Sequence, residues 1–343
     1  MLYVKSEFED VIMTEQNSVI TLVARPEKGL SADLFAKETR DIPSLEMGQV
    51  LVKQTHLSLD PAMVGWMSAD TESYLPPVPL GDVMRSNGYG VVLESNDPDL
   101  KPGDHVMGML GWQSHPVVKA KELNKLDPNL PPEMVLSVFA IPGLTATLGL
   151  FDYGKPKAGE TLVVTGAAGS VGSMVGQLAK AEGMRVIGVA GSEEKCQWLM
   201  ELGFDGAINY KTDDLEAKLE ELTPNGIDVF FENTGGPIQP MIFDRMNAFG
   251  RIVVCGLIAD YTAKAPAPGP SWINVVKKRL SIQGFVVPDH LHRAPEILAT
   301  LTPYVQAGKI QYRSHVLEGL DSAMTGLTLL FTGENQGKLI VKL

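Results

Sequence analysis

The segment Thr161–Lys180, TLVVTGAAGSVGSMVGQLAK, decides the fold. Thr161–Thr165 is a short run rich in β-branched residues, the pattern of a strand buried on both faces. Val171, Val175, Leu178 and Ala179 then recur at i, i+4, i+7 and i+8, which lines one face of a helix over 171–181. Between the two, Ala167-Ala168-Gly169-Ser170-Val171-Gly172 fits a dinucleotide fingerprint whose first glycine has become Ala. Gly169 admits close approach of a pyrophosphate to the backbone, and Gly172 permits tight helix–strand packing. The helix start supplies free N–H groups and the positive end of a dipole. The same strand, turn and helix also describe an α/β turn that binds nothing.

Downstream the alternation continues. Strand-like runs at Arg185–Ala190, Ala207–Tyr210, Asp228–Glu232, Arg251–Gly256 and Ser281–Val286 are separated by helical patterns, one of them over Glu193–Leu202. Apolar strands alternating with helices indicate a parallel sheet covered on both faces. Upstream the texture differs. Val19–Ala24, Gln49–Leu57 and Gly90–Glu94 are short strands bounded by turn chemistry, with loops at LPPVPLGD (75–82) and DPDLKPGDHV (97–106). A module of many short strands closes into a barrel or half-barrel to hide its edges. Val316–Leu320 and Lys338–Lys342 are again strand-like, so the chain is expected to return to the first module after about residue 305. The division is therefore 1–130 with 306–343 in a β-rich domain, around a nucleotide-binding domain at 131–305. The Pro-rich AKAPAPGP (263–270) reads as a loop.

Composition narrows the function classes. The 343 residues carry 29 Lys and Arg against 41 Asp and Glu, a formal charge of −12. That balance argues against nucleic-acid and polybasic membrane partners, which need clustered positive charge. Cys196 and Cys255 are too few for a disulfide framework or a thiolate zinc cage. The opening MLYVKSEFEDVIMTEQ lacks the apolar core of a signal peptide, and apolar runs such as Ile252–Ile258 are strand-sized. A cytoplasmic, non-membrane protein is expected.

The second strand of the α/β unit identifies the dinucleotide. An NAD enzyme places Asp or Glu at its tip to bond the ribose 2′-OH. Here RVIGVA ends in Ala190-Gly191-Ser192 with no carboxylate, followed by Lys195, with Tyr210 and Lys211 at the end of the next strand. Hydroxyls and an ammonium suit a 2′-phosphate, so the cofactor is read as NADPH/NADP. Lys195 also fits a solvated helix position beside Glu193 and Glu194.

GAAGSVGSMVGQLAK, GSEEK (191–195), INYK (208–211), ENTGG (232–236), RIVVCGLIADY (251–261), GFVV (284–287) and ENQGKLIVKL (334–343) together resemble the zinc-independent medium-chain dehydrogenase/reductases. The likeness is to the leukotriene B4 dehydrogenase, prostaglandin reductase and curcumin reductase branch, and it spans nearly the whole chain. The resemblance implies an α/β protein with a GroES-like β-rich catalytic domain plus a Rossmann doubly wound parallel sheet, NADPH as cofactor, an α,β-unsaturated ketone or aldehyde as substrate, and a homodimer. It implies Ala168, Gly169, Ser170, Val171 and Gly172 on the pyrophosphate, and Ser192, Lys195 and Tyr210 near the 2′-phosphate. It further implies Asn233 beside a ribose, Cys255, Gly256, Leu257, Ile258 and Tyr261 along the nicotinamide, Phe285, Val286 and Val287 near the carboxamide, and Asn335 at the reactive end. Cys255 and Phe285 each read equally well as ordinary core.

One loop departs from the branch. Relatives follow Asn-Pro or Asp-Pro with Tyr-Met-Arg, whereas this chain has Asp60-Pro61-Ala62-Met63-Val64. That leaves Tyr261 and Tyr74 as candidate catalytic hydroxyls, with Trp66 and Met67 as candidate apolar lining. No metal site is expected: His56 stands alone, and His290 and His292 at i, i+2 do not share a helix face. Two readings compete with enone reduction, namely an NADPH quinone reductase of the same fold and a non-catalytic NADPH-binding protein.

Overall fold

The computed structural model describes residues 16–27, 29–263, 265 and 267–343. The N-terminal stretch that argues against a signal peptide falls almost entirely outside the described residues, as do Lys264 and Pro266 of the Pro-rich loop. The described chain forms two compact units: residues up to 132 with 316–328 and 340–343, and residues 133–315 with 329–339. The segments 306–315 and 329–339 thus group with the α/β unit.

The first unit is GroES-like and antiparallel. Its strands are β1 (Asn17–Leu22), β2 (Phe35–Arg40), β3 (Gln49–Leu59), β4 (Asn87–Ser95), β5 (His105–Met109), β6 (Val117–Lys119) and β7 (Asn124–Lys125). β1 and β2 pair antiparallel, and β3–β4–β5–β7 form the body of a larger sheet with β6 against β3. Val50, Val52, Val92, Leu100 and Val106 fill its core, the inward positions of alternating strands. Near one end of the unit, the short helix Met63–Met67 is almost wholly buried.

The second unit is a Rossmann sheet of β8 (Thr161–Val164), β9 (Arg185–Ala190), β10 (Gly206–Asn209), β11 (Ile227–Glu232), β12 (Met246–Val254) and β13 (Ser281–Gly284). All neighbours are parallel, in the order β10-β9-β8-β11-β12-β13. The chain leaves β8 toward β9 on one side and returns to β11 on the other. A doubly wound sheet opens a crevice outside the carboxyl ends of its strands at such a reversal, here between β8 and β11. Leu162, Val164, Val229 and Phe231 are fully buried, as the continuous apolar runs require. β14 (Ser314–Glu318) and β15 (Lys338–Lys342) complete the strand set and extend the antiparallel sheet at the β3 side.

One segment corrects the sequence reading of apolar runs. Residues Pro132–Gly154 form a 23-residue helical stretch, interrupted at the extended Ala140, that is long and apolar enough to cross a membrane, and 78% of its most apolar window is buried within the protein. Val138, Ala146 and Leu150 join the core of the parallel-sheet unit. Thr145, Thr147, three glycines and two prolines interrupt the apolar run. On a helix these small residues sit comfortably inside a packed core.

Candidate cofactor and active site

The turn after β8 begins one residue earlier than the fingerprint suggests. Gly166 adopts φ +59°, a conformation that side chains with a β-carbon rarely take. Its carbonyl accepts the Gly169 N–H at 3.0 Å. A β-carbon on Gly172 would lie 2.4 Å from the Gly166 oxygen, so the helix can pack this closely only without one. The turn glycine is therefore Gly166, giving Gly166-x-x-Gly169-x-x-Gly172 in place of an altered GxGxxG. Its position directly after TLVVT was the available signal. Ala168 is buried, while Gly169, Ser170 and Val171 are partly exposed where the helix Ser170–Ala181 opens.

At the ends of β9 and β10 the chain assembles a small cationic recess. Ser192 caps the helix Glu193–Glu201, its Oγ accepting the Lys195 N–H at 3.3 Å, which leaves its own proton to donate outward. Tyr210 lies against Gly191, where an added β-carbon would stand 2.8 Å from the ring and 3.0 Å from the hydroxyl. Lys211 Nζ sits 5.9 Å over the Tyr210 ring. Lys195 Nζ donates to Gly333 O at 2.8 Å. Burial first, then the neighbouring Lys211, holds the Lys195 ammonium below the usual lysine value. A partly desolvated ammonium with a second cation nearby is stabilised by an anion bound beside it. Lys211, read from the sequence at the end of the next strand, thus joins Ser192, Lys195 and Tyr210 here.

The segment 329–339 is tied to the same end of the unit. Gln336 donates to Glu194 at 2.6 Å, and Arg313 lies over Trp198. Asn335 is buried, with its amide turned onto Gly337 O at 3.0 Å. Its own hydrogen bonds stay within the segment, to Gly337 O and Leu329 O, while Gly333 and Gln336 make the contacts with the helix Glu193–Glu201.

At the switch point, Asn233 N–H donates to Thr165 Oγ1 at 2.9 Å and Asn233 Nδ2 to Thr165 O at 2.8 Å. Glu232, fully buried, accepts from Thr165 Oγ1, from the N–H groups of Thr234 and Gly235, and from Gln239. Glu232 and Thr165 hold this rim together, and sequence reading quoted the former only as part of a motif. Past β12, Cys255, Gly256, Leu257 and Ile258 form a partly buried bend, and Leu257 N–H donates to the Tyr261 hydroxyl at 3.4 Å. Tyr261 is half-exposed. Burial, reinforced by the Glu232 charge, pushes the Cys255 thiol up to about 12, so it stays protonated and unreactive.

Phe285 packs on Tyr153 with ring centroids 5.3 Å apart, beside Gly149. Val286 is partly exposed and Val287 is buried with Leu144, Leu148 and Ile297. In the first unit, Tyr74 is half-exposed in the loop after the short helix, while Trp66 and Met67 are buried, Arg85 lying over the indole. Among the described residues no group of three or more His, Cys, Asp or Glu is arranged to hold a metal.

Two family profiles match the chain. Residues 18–126 match an N-terminal domain of oxidoreductase, and residues 170–302 match the family described as zinc-binding dehydrogenase. The NADPH-dependent curcumin reductase of Escherichia coli (strain K12) is 40% identical over 96% of this chain and 97% of that protein. The NADP(+)-dependent 2-alkenal reductase of Nicotiana tabacum is 39% identical over 85% of this chain and 86% of its own length. The crystal structure of CurA in complex with NADPH from Vibrio vulnificus superposes with a TM-score of 0.89, at 39% identity, over 95% of this chain and 98% of that one. Identity at this level along nearly the full length, on a Rossmann unit carrying the Gly166–Gly172 turn, places the chain in the zinc-independent branch of the medium-chain dehydrogenase/reductase family, among the curcumin, prostaglandin and alkenal reductases.

Proposed function

We propose that this protein is an NADPH-dependent reductase of the activated C=C bond of α,β-unsaturated ketones or aldehydes. The observation that carries the reading is the recess at Gly191, Ser192, Lys195, Tyr210 and Lys211. It offers two hydroxyls and two ammonium groups, with no carboxylate at the strand tip to repel a phosphate. The residues fit the cofactor. The space that a β-carbon on Gly191 would fill is bounded by Tyr210, and the Gly166–Gly172 turn presents backbone N–H groups to a pyrophosphate. Asn233 and the Cys255–Tyr261 bend would hold the ribose and nicotinamide end, with Asn335 assigned to that end by family likeness. When bound, NADPH supplies the hydride.

The remaining work belongs to the protein. Hydride delivery to the β-carbon of an enone leaves negative charge on the carbonyl oxygen, and a donor fixed at that oxygen lowers the barrier. The Tyr261 hydroxyl accepts from Leu257 N–H beside the proposed nicotinamide end, and we assign it this donor role. Tyr74 is assigned a supporting contact to substrate. Domain roles follow: 1–130 with 306–343 catalytic and 131–305 cofactor-binding. The contacts of 329–339 with the helix Glu193–Glu201 extend the second domain locally.

A cytoplasmic homodimer completes the proposal. β13 is the outer strand of the parallel sheet and is largely exposed, and Phe249, Trp272 and Val276 are exposed apolar residues of the same unit. An open strand edge flanked by apolar side chains pairs readily with a second copy. The deciding experiment measures NADPH consumption against a panel of enones and quinones, with product analysis. Saturated ketone from enone supports the proposal. Turnover of quinones alone favours a quinone reductase, and tight NADPH binding with no turnover of either class refutes the enzyme assignment.

A further inference from the structure

We propose that Glu232 is a positioning residue for the cofactor, its buried carboxylate holding Asn233, through Thr165, and the Thr234–Gly235 turn in register. The proposal rests on the reading that these segments line the nucleotide crevice. Glu232 is 0% exposed, where an ionised carboxylate is costly unless its lone pairs are filled. They are filled by neutral donors: Thr165 Oγ1 at 2.6 Å, Thr234 N at 2.8 Å, Thr234 Oγ1 at 3.3 Å and Gly235 N at 3.1 Å on one oxygen, Gln239 Nε2 at 3.2 Å on the other. A fully apolar side chain would pack the strand end at lower cost, so the carboxylate is explained by what it organises.

It organises the ends of β8 and β11. The Thr165 hydroxyl spends its proton on Glu232 and must therefore accept from Asn233 N–H, which it does at 2.9 Å. Asn233 Nδ2 is committed to Thr165 O, so the amide oxygen is presented on the opposite side, as an acceptor for a ribose hydroxyl. The Glu232 carbonyl accepts from both Cys255 N at 2.9 Å and Gly256 N at 3.2 Å, and Ala259 N reaches Thr234 O at 2.9 Å. β8 and β11 thus meet at the Glu232 side chain, and the segment after β12 meets its backbone carbonyl. Its charge also reaches the Cys255 thiol.

The test compares wild type, Glu232→Gln and Glu232→Ala. Gln keeps one accepting oxygen and the shape, so it remains informative where Ala fails to fold. In the cofactor-free protein, hydrogen exchange at 232–236 is expected to accelerate about tenfold or more in Glu232→Ala and less in Glu232→Gln, with 185–190 unchanged. Dissociation constants for NADPH and NADH are expected to rise together by about tenfold in Glu232→Ala, their ratio unchanged, because the 2′-phosphate recess is untouched. Unaltered affinities, or exchange that rises equally at 185–190, overturn the proposal. A wild-type chain that binds neither NADPH nor NADH refutes the cofactor reading instead, and the exchange data then decide alone whether Glu232 holds the rim.

Discussion

Lys195→Ala is the perturbation that separates the two ends of the proposed cofactor. The ammonium donates to Gly333 O, is partly buried, and has its pKa lowered by that burial and by Lys211. Removing it deletes one charge-assisted hydrogen bond to a 2′-phosphate, worth about 2 kcal/mol in such a half-desolvated setting. That converts to about thirtyfold weaker NADPH binding. Lys211 and Tyr210 remain, so the loss should stop well short of abolishing binding. NADH has no 2′-phosphate and should lose only the small effect of freeing Gly333, less than about threefold. The linkage has a definite sign. With its folded-state pKa lowered, Lys195 costs stability while charged, at pH below that value, and the cost is relieved as pH rises toward the unfolded value of 10.5. A bound phosphate restores the charge, so NADPH binding takes up a proton once pH passes the lowered pKa, and NADH binding does not. Calorimetric titration of both nucleotides, in buffers of different ionisation enthalpy, reads affinity and proton uptake together. Equal losses for NADPH and NADH, or an unchanged preference, would refute the phosphate assignment.

Three further outcomes are expected. Tyr261→Phe should lower kcat about tenfold or more and raise the NADPH dissociation constant by much less, about threefold at most, as steady-state and binding measurements together will show. Gly172→Ala forces a β-carbon to within 2.4 Å of the Gly166 oxygen, so thermal unfolding should reveal a loss of about 1–3 kcal/mol along with weakened binding of both nucleotides. In the first unit, hydrogen bonds from Lys125 and from the Lys101 backbone hold the Asp104 carboxyl below its usual range. Its stabilisation is therefore present above the ordinary carboxylate pKa and lost as pH falls through the lowered one, and Asp104→Asn should flatten that part of the acid unfolding profile.

The legibility of the fold differs between its parts for physical reasons. The strands of the parallel sheet read clearly because each is buried on both faces, which demands unbroken apolar runs such as TLVVT and RVIGVA. The helix Ser170–Ala181 read clearly from its periodic apolar face. Pro132–Gly154 did not, since its scattered glycines, prolines and threonines conceal an apolar helix whose small residues suit close packing. The fingerprint was found, yet Gly166 was passed over because a positive φ is a property of the backbone that composition does not display. Glu232 was visible as a letter in ENTGG, but its five donors come from residues at 165, 234, 235 and 239, and only folding brings 165 beside 232.

The sequence by itself determined the alternation of strand and helix, the glycine turn, the acid-free tip of the second strand and, through likeness, the family. These are local properties, written in neighbouring residues. Tertiary structure alone decided that β8 and β11 are adjacent with the chain reversing between them, and that 329–339 docks on the helix Glu193–Glu201. It also decided that Lys195 and Lys211 share one recess, and that a buried carboxylate ties the ends of β8 and β11 together. Each of these depends on contacts between residues far apart in the chain, whose energies arise only once the sheet is assembled and water is gone from the strand ends.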